Sequence, residues 1–170
     1  MPTHIRKLRA EHADAYRRLR LLGLREFPPA FAESAAEFAN RPSGYVETTL
    51  EDAAGLRHVF GAFTDAGELV GIVGVTQDAL EKMHHKGDIW GMYVAPDYQG
   101  QGIAKRLLEA AIAHARGTPG LEQLRLIVGE ANAGARRLYE SLGFKPFGLE
   151  PRELKTGGKY YDSVHMWLEL

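Results

Sequence analysis

A chain of 170 residues with 45% apolar and 25% charged side chains has the length and balance of one folded domain, long enough to remove roughly 70% of its unfolded surface from water. Twenty-one basic and 22 acidic residues leave a net charge of −1, which argues against a domain built to hold nucleic acid. The absence of cysteine excludes disulfides, thiolate metal sites, iron–sulfur clusters and a cysteine nucleophile. No apolar run nears the ~18 residues of a membrane span, and the start, Met1 to Arg6, lacks a signal-peptide core. The expectation is a soluble cytoplasmic protein with neither nucleic acid nor membrane as a partner.

In chain order, Ile5 and Leu8 mark an opening strand, and Ala13, Tyr16 and Leu19 recur at helical spacing between Glu11 and Leu24. The segment Phe27 to Gly44 holds Pro28, Pro29 and Pro42, which break periodicity; helical pieces fall at Glu33–Asn40 and Tyr45–Ala53. Val59–Thr64 and Glu68–Val75 flank Asp65-Ala66-Gly67 and predict a hairpin. A strand from Asp88 to Val94 ends at Ala95-Pro96. A helix follows with Ile103, Leu107, Leu108, Ala111, Ile112 and Ala115 on one face, closed by Gly117, Pro119 and Gly120. Leu124–Val128 is apolar enough for a central strand, and Asn132 caps a short helix stopped by Gly143. Phe144–Leu149 and the alternating Val164, Met166, Leu168 and Leu170 predict two last strands joined through Gly157-Gly158. The fold class is α+β (mixed α/β): one domain over residues 1–170, with a largely antiparallel mixed sheet of six to seven strands and about four helices.

The most informative stretch runs from Trp90 through Gln99-Gly100-Gln101-Gly102 to Lys105. A buried strand turns at Pro96, and two glycines open an amphipathic helix whose free N–H groups suit a phosphate or pyrophosphate. Lys105 and Arg106 oppose the helix dipole there, a placement that fits a bound anion. Read from spacing alone, the glycines serve either that purpose or a tight chain reversal. The pattern is neither a P-loop nor a Rossmann fingerprint.

Gln99-Gly100-Gln101-Gly102-Ile103-Ala104, preceded by the strand Met92-Tyr93-Val94, resembles the Gln/Arg-x-x-Gly-x-Gly/Ala loop of the GNAT N-acetyltransferase superfamily. Asn132-x-x-Ala135-x-x-Leu138-Tyr139-Glu140-x-x-Gly143-Phe144 matches a second signature of that family in place and spacing. The resemblance implies a sheet splayed at the cofactor site and acetyl-CoA as co-substrate. It places the pyrophosphate on the loop, Gln99 to Lys105, and the pantetheine arm along Met92, Tyr93 and Val94. Asn132 would bond the arm, and Arg136 or Arg137 would meet phosphates; a plain helix cap and solvated arginines are the other readings. No metal is implied.

The implied reaction moves an acetyl group from the thioester to a primary amine. An amine of pKa ~10.4 lies ~3.4 units above neutrality, so freeing it of its proton costs about 4.6 kcal/mol at pH 7, part of which a carboxylate or histidine base offsets. Tyr139 matches the family's general acid toward the thiolate; by periodicity alone it is a core aromatic. Asp88, eleven positions before Gln99, is the candidate base, against a solvated strand-edge acid; His84, His85 and Glu130 are alternatives. The acceptor site falls against Phe27–Gly44, Tyr45 and the last hairpin with Tyr160 and Tyr161. Phe27, Phe31 and Phe38 would give it an apolar wall, and Glu26, Glu33 and Glu37 would favour a cation, although core packing and a charged helix face explain them equally. A small-molecule amine is expected ahead of a protein acceptor. A homodimer through the last strands, where Trp167 looks exposed, is expected by analogy. The alternative is a coenzyme A-binding regulatory or interaction module of the same fold that transfers nothing.

Overall fold

The computed structural model describes residues 2–170. Its strands are β1 (Thr3–Lys7), β2 (Arg57–Thr64), β3 (Leu69–Gln77), β4 (Lys86–Val94), β5 (Gln123–Gly129), β6 (Lys145–Thr156) and β7 (Lys159–Glu169). Its helices are α1 (Ala13–Glu26), α2 (Ala35–Ala39), α3 (Tyr45–Glu51), α4 (Ile103–Arg116) and α5 (Ala133–Ser141). One seven-stranded sheet has the order β1-β2-β3-β4-β5-β7-β6. Every neighbouring pair is antiparallel except β4 and β5.

Strand β3 is buried along nearly its whole length because helices cover both faces of the sheet. Val70, Val73 and Val75 pack with the apolar stripe of α4, while Leu69 and Ile72 pack with Tyr16, Leu19 and Leu24 of α1. A side chain's direction alternates along a strand, so one apolar run serves two cores. The hairpin of β2 and β3 turns at Gly67, whose φ of +83° is one that a side chain resists.

The five helices include both pieces expected in the proline-rich region, shortened to α2 and α3. The larger departure is β6, which runs on to Thr156 where the sequence reading stops at Leu149. β6 is an edge strand and nearly all exposed, so no apolar alternation betrays it. Pro146, Gly148 and Pro151 interrupt it further, and its pairing with β7 slips at Pro146/Gly148 and again at Glu150/Leu154. Arg152, at a φ of +56°, sits in the second slip and donates its backbone N–H to Asp162. Trp167 is partly buried in β7 rather than exposed. Among the described residues no helix is long and apolar enough to cross a membrane, and no cluster of three His, Asp or Glu side chains is placed to hold a metal.

Candidate active site

β4 and β5 pair only at Lys86–Gln123, Gly87–Leu124 and Asp88–Arg125. Beyond Asp88 the two strands part, and the sheet opens in its middle. β4 takes one extra residue against β3 at this point: Ile72 faces Tyr93 while Gly74 faces Trp90, and Gly91 adopts a φ of +64°. This is a bulge of the kind that needs glycine, and it bends β4 as it leaves β5. Trp90 is held at the bend. Its indole donates to the Thr76 hydroxyl at 2.8 Å and lies over Gly74, where any Cβ would collide with the ring.

At the end of β4, the Gln99 side-chain amide donates to the Val94 carbonyl at 2.9 Å and folds the loop back on its strand. Gly100 and Gly102 follow with φ of +74° and +76°, and Gly102 begins α4 with no side chain capping the helix. Nothing lies within 4 Å of where a Cβ would stand on either glycine. The loop therefore presents bare backbone at an uncapped helix start, where N–H groups and the helix dipole both favour an anion.

Met92, Tyr93, Val94, Gln99, Gly100, Gly102, Ile103, Ala104, Lys105 and Asn132 all line one cavity of about 650 Å³, together with Tyr139. Gln101 and Arg136, which the sequence reading places with them, do not line it. The Gln101 amide donates to the Asp97 carbonyl, and Arg136 turns to the carbonyl of Glu130 at 3.3 Å. Arg106 is also drawn elsewhere, donating to the hydroxyl and carbonyl of Thr3 and so tying α4 to β1. Asn132 caps α5 by accepting from the Ala135 N–H at 3.1 Å and still borders the cavity. Tyr93 lines the cavity while its hydroxyl donates to Glu26 at 2.6 Å; burial and that carboxylate both raise its pKa.

A second cavity, about 130 Å³, fills the splay itself. It shares Met92, Asn132, Ala135 and Tyr139 with the first and reaches Trp90 and Gly91. A third, about 370 Å³, continues from Trp90 and Gly91 to Asp88, Arg20 and Glu33. The splay is thus open from the glycine loop to Asp88. Tyr139 stands on its wall, 8% exposed and edge-on to Phe144 at 6.0 Å. Burial alone pushes its hydroxyl up to about 12.

Asp88 lies at the closed end of the splay. Its carboxylate accepts from Arg125 Nη2 at 2.7 Å, and the same nitrogen is 3.9 Å from Asp78. The histidines are not brought here: His84 Nδ1 is 2.9 Å from the Asp78 carbonyl, and neither His84 nor His85 lines these cavities. Glu130 borders a further cavity with Tyr160 and Tyr161 that shares Phe27, Ala30 and Asn132 with the first. Phe31 lines the splay, and Phe38, packed edge-on against Tyr16, lines another cavity with Tyr16 and Tyr45. Glu37 is a capping residue that receives the Ser34 N–H, and Glu33 pairs with Arg41 at 2.7 Å. Sequence reasoning passed over Arg20, Arg57, Trp90 and Arg125. Each comes from a different element, and a single arginine or tryptophan in an amphipathic pattern carries no sign of what it will face.

Comparison with known proteins agrees with this architecture. The chain is 47% identical over 58 residues to mycothiol acetyltransferase of Thermobispora bispora, covering 34% of this chain and 19% of that protein. It is 28% identical over 146 residues to the L-methionine sulfoximine/L-methionine sulfone acetyltransferase of Pseudomonas aeruginosa, covering 85% and 77%. A GNAT-family acetyltransferase structure from Streptococcus pneumoniae superposes with a TM-score of 0.85 at 25% identity, covering 99% of this chain and 100% of that one. The chain spans about a fifth to a half of the length of the first curated relatives it matches. The profile of the Acetyltransferase (GNAT) family matches residues 16–144, and the chain belongs to that family.

Proposed function

We propose that this protein is an acetyl-CoA-dependent N-acetyltransferase that moves an acetyl group directly to the primary amine of a small molecule, with Tyr139 as general acid. The observation that carries this reading is the open splay, continuous from the glycine loop past Tyr139 to Asp88. Relatives whose names specify small-molecule acceptors, mycothiol and methionine sulfoximine, support the acceptor class.

The residues present fit the co-substrate. The space beside Gly100 and Gly102 is free for a pyrophosphate to approach the backbone, with Lys105 close by. Beyond Asp88, β4 runs without β5 as a partner, and its backbone groups can pair with an amide-bearing arm as a strand edge pairs with a peptide. Acetyl-CoA when bound supplies the activated acetyl group; the remaining work belongs to the chain. Asp88 takes the proton of the incoming ammonium through water, its carboxylate lying at the closed end of the splay where the cavities beyond Trp90 meet it. N–H groups of β4 near Met92 stabilise the oxygen that gains charge as the amine adds. Tyr139 gives its hydroxyl proton to the departing sulfur and is reprotonated by the second proton that the nitrogen loses as the adduct collapses, while Asp88 releases the first to solvent, so protons balance over the cycle.

Calorimetric titration of acetyl-CoA, desulfo-coenzyme A and ATP tests the cofactor half. Micromolar binding of the first two without ATP is expected, and absence of binding by either coenzyme A species overturns the reading. Thiol release on adding amines then separates a transferase from a binding module.

A further inference from the structure

Beyond Trp90 the splay leads into a cavity of about 360 Å³ between α1, α3 and the sheet, whose walls include Tyr16, Arg20, Tyr45, Arg57, Asp88 and Trp90. This is the volume of a small metabolite, and it meets the splay at Asp88 and Trp90. A role for this cavity in holding the acceptor rests on the transferase reading, because both concern the same site.

Two carboxylates and two guanidiniums line this cavity, and the ion pair between them among the described residues is the long contact of Arg20 with Glu33. Glu33 is held at 2.7 Å by Arg41, which lies outside the cavity wall, and Arg20 approaches it only to 3.7 Å. Asp88 is held at 2.7 Å by Arg125, also outside the wall. The acidic groups are therefore matched from behind. Arg20 is 9% exposed, and its Nη1 is buried with no hydrogen-bond partner, next to the Gly91 bulge. The Arg57 side chain makes no ion pair among the described residues. Both guanidiniums lie close enough to act on the Tyr16 phenol. A buried guanidinium N–H without an acceptor is rare in folded proteins unless a ligand supplies one. An arginine fork matches a carboxylate in shape as well as charge.

We propose that the acceptor is a small amine that carries a carboxylate, an α-amino acid or a close analogue, with Arg20 and Arg57 receiving the carboxylate and the amino group facing the splay past Trp90. A polyamine fits poorly. It would bring further positive charge against two arginines whose neighbouring carboxylates are already paired.

The test pairs L-methionine, L-phenylalanine and L-glutamate with the amines that lack their α-carboxylates, and adds spermidine. Binding is followed by calorimetry with and without desulfo-coenzyme A, and turnover by thiol release. At least one amino acid is expected to bind and react 30-fold or more better than its decarboxylated partner. In Arg57→Met that ratio falls at least tenfold through KM, with kcat and coenzyme A binding little changed. Arg20→Lys, which keeps the charge of a more buried residue, loses the fork and weakens the same ratio. Equal use of amine and amino acid, preference for spermidine, or an Arg57→Met ratio equal to that of the parent overturns the proposal. So does failure of every amino acid to bind. Failure of the transferase reading looks different: coenzyme A does not bind, while the free protein still distinguishes amino acid from amine by calorimetry.

Discussion

Replacement of Tyr139 by Phe separates chemistry from packing at one atom. The hydroxyl is pushed up to about 12 by burial with no side chain contributing, so it is fully protonated through the neutral range. Burial therefore opposes forming the phenolate in the resting site. In the proposed acid role that proton passes to the sulfur only as charge develops on it. Removal of a positioned general acid slows the step it serves by ~10²–10⁴, or about 2.7–5.4 kcal/mol of barrier. Stability should scarcely respond, because the ring keeps its contact with Phe144 and no protein group loses a partner. A change below about 1 kcal/mol, at most ~2–4 °C in Tm for a chain of this size, is expected. Thiol release at saturating acetyl-CoA gives kcat, calorimetry gives coenzyme A affinity, and thermal melts give stability. The expected pattern is a large loss of kcat with the other two unchanged. Unchanged kcat refutes the acid role, and a loss of affinity or stability as large as that of rate would make Tyr139 a packing residue.

Asp88→Asn should lower kcat by ~10²-fold or more while leaving coenzyme A affinity intact; a rate within threefold of the parent would clear Asp88 as base. Gly102→Val forces a branched side chain to a φ of +76° and into the space beside the loop, so coenzyme A affinity measured by calorimetry should drop at least tenfold, with ~1–3 kcal/mol of added strain in urea unfolding. Gly74→Ala drives a methyl into the Trp90 indole, and destabilisation of ~1–3 kcal/mol is expected because that ring is tied to Thr76; an unchanged urea midpoint would show that Trp90 yields. The His58 and His114 rings lie 4.1 Å apart at a tilt of 58°, and burial, with Lys7 nearby opposing a charge on either ring, lowers both below 6.5. The unfolded chain takes up their protons first as pH falls from 6.5 towards those lowered values, so stability should decline across that window and hold above it. His114→Gln should shrink the difference between urea midpoints at pH 7.5 and 5.5, and an undiminished difference would assign acid sensitivity elsewhere.

The lining of the cavity beside the glycine loop was legible because its determinants are local. Two glycines, an uncapped helix start and the strand before them lie within a few residues, and one backbone conformation explains them all. Tyr139 was reachable by counting two helical turns from Asn132. The arginine-lined cavity had no such signal. Tyr16, Arg20, Arg57 and Trp90 come from three separate elements, and each by itself fits an ordinary amphipathic pattern. Long-range partners also decided which charges serve the loop. Arg106 sits one residue from Lys105, yet Thr3 at the other end of the chain draws it away from the cavity, and no periodicity foretells that. The far half of β6 escaped for a further reason: an exposed edge strand has no face to bury, so its pattern is that of a loop.

Opening a sheet in its middle removes ladder hydrogen bonds, and three neighbours hold β4 where β5 leaves it. β3 stays paired on the other side up to Val94. The Tyr93 ring rests against Gly23 of α1, where a Cβ would come within 2.9 Å, and its hydroxyl reaches Glu26. Gln99 ties the glycine loop to the strand end through the Val94 carbonyl. Trp90, pinned by Thr76, stands at the bend itself. The strand that would carry the reacting groups is therefore fixed from α1, β3 and its own loop, independently of any ligand. Rigid support of this kind favours a preorganised site, in which donors aimed at developing charge need no reorganisation during reaction. The bend also divides the loop-side cavity, with Tyr139 on its wall, from the arginine-lined cavity, with Asp88 on its wall.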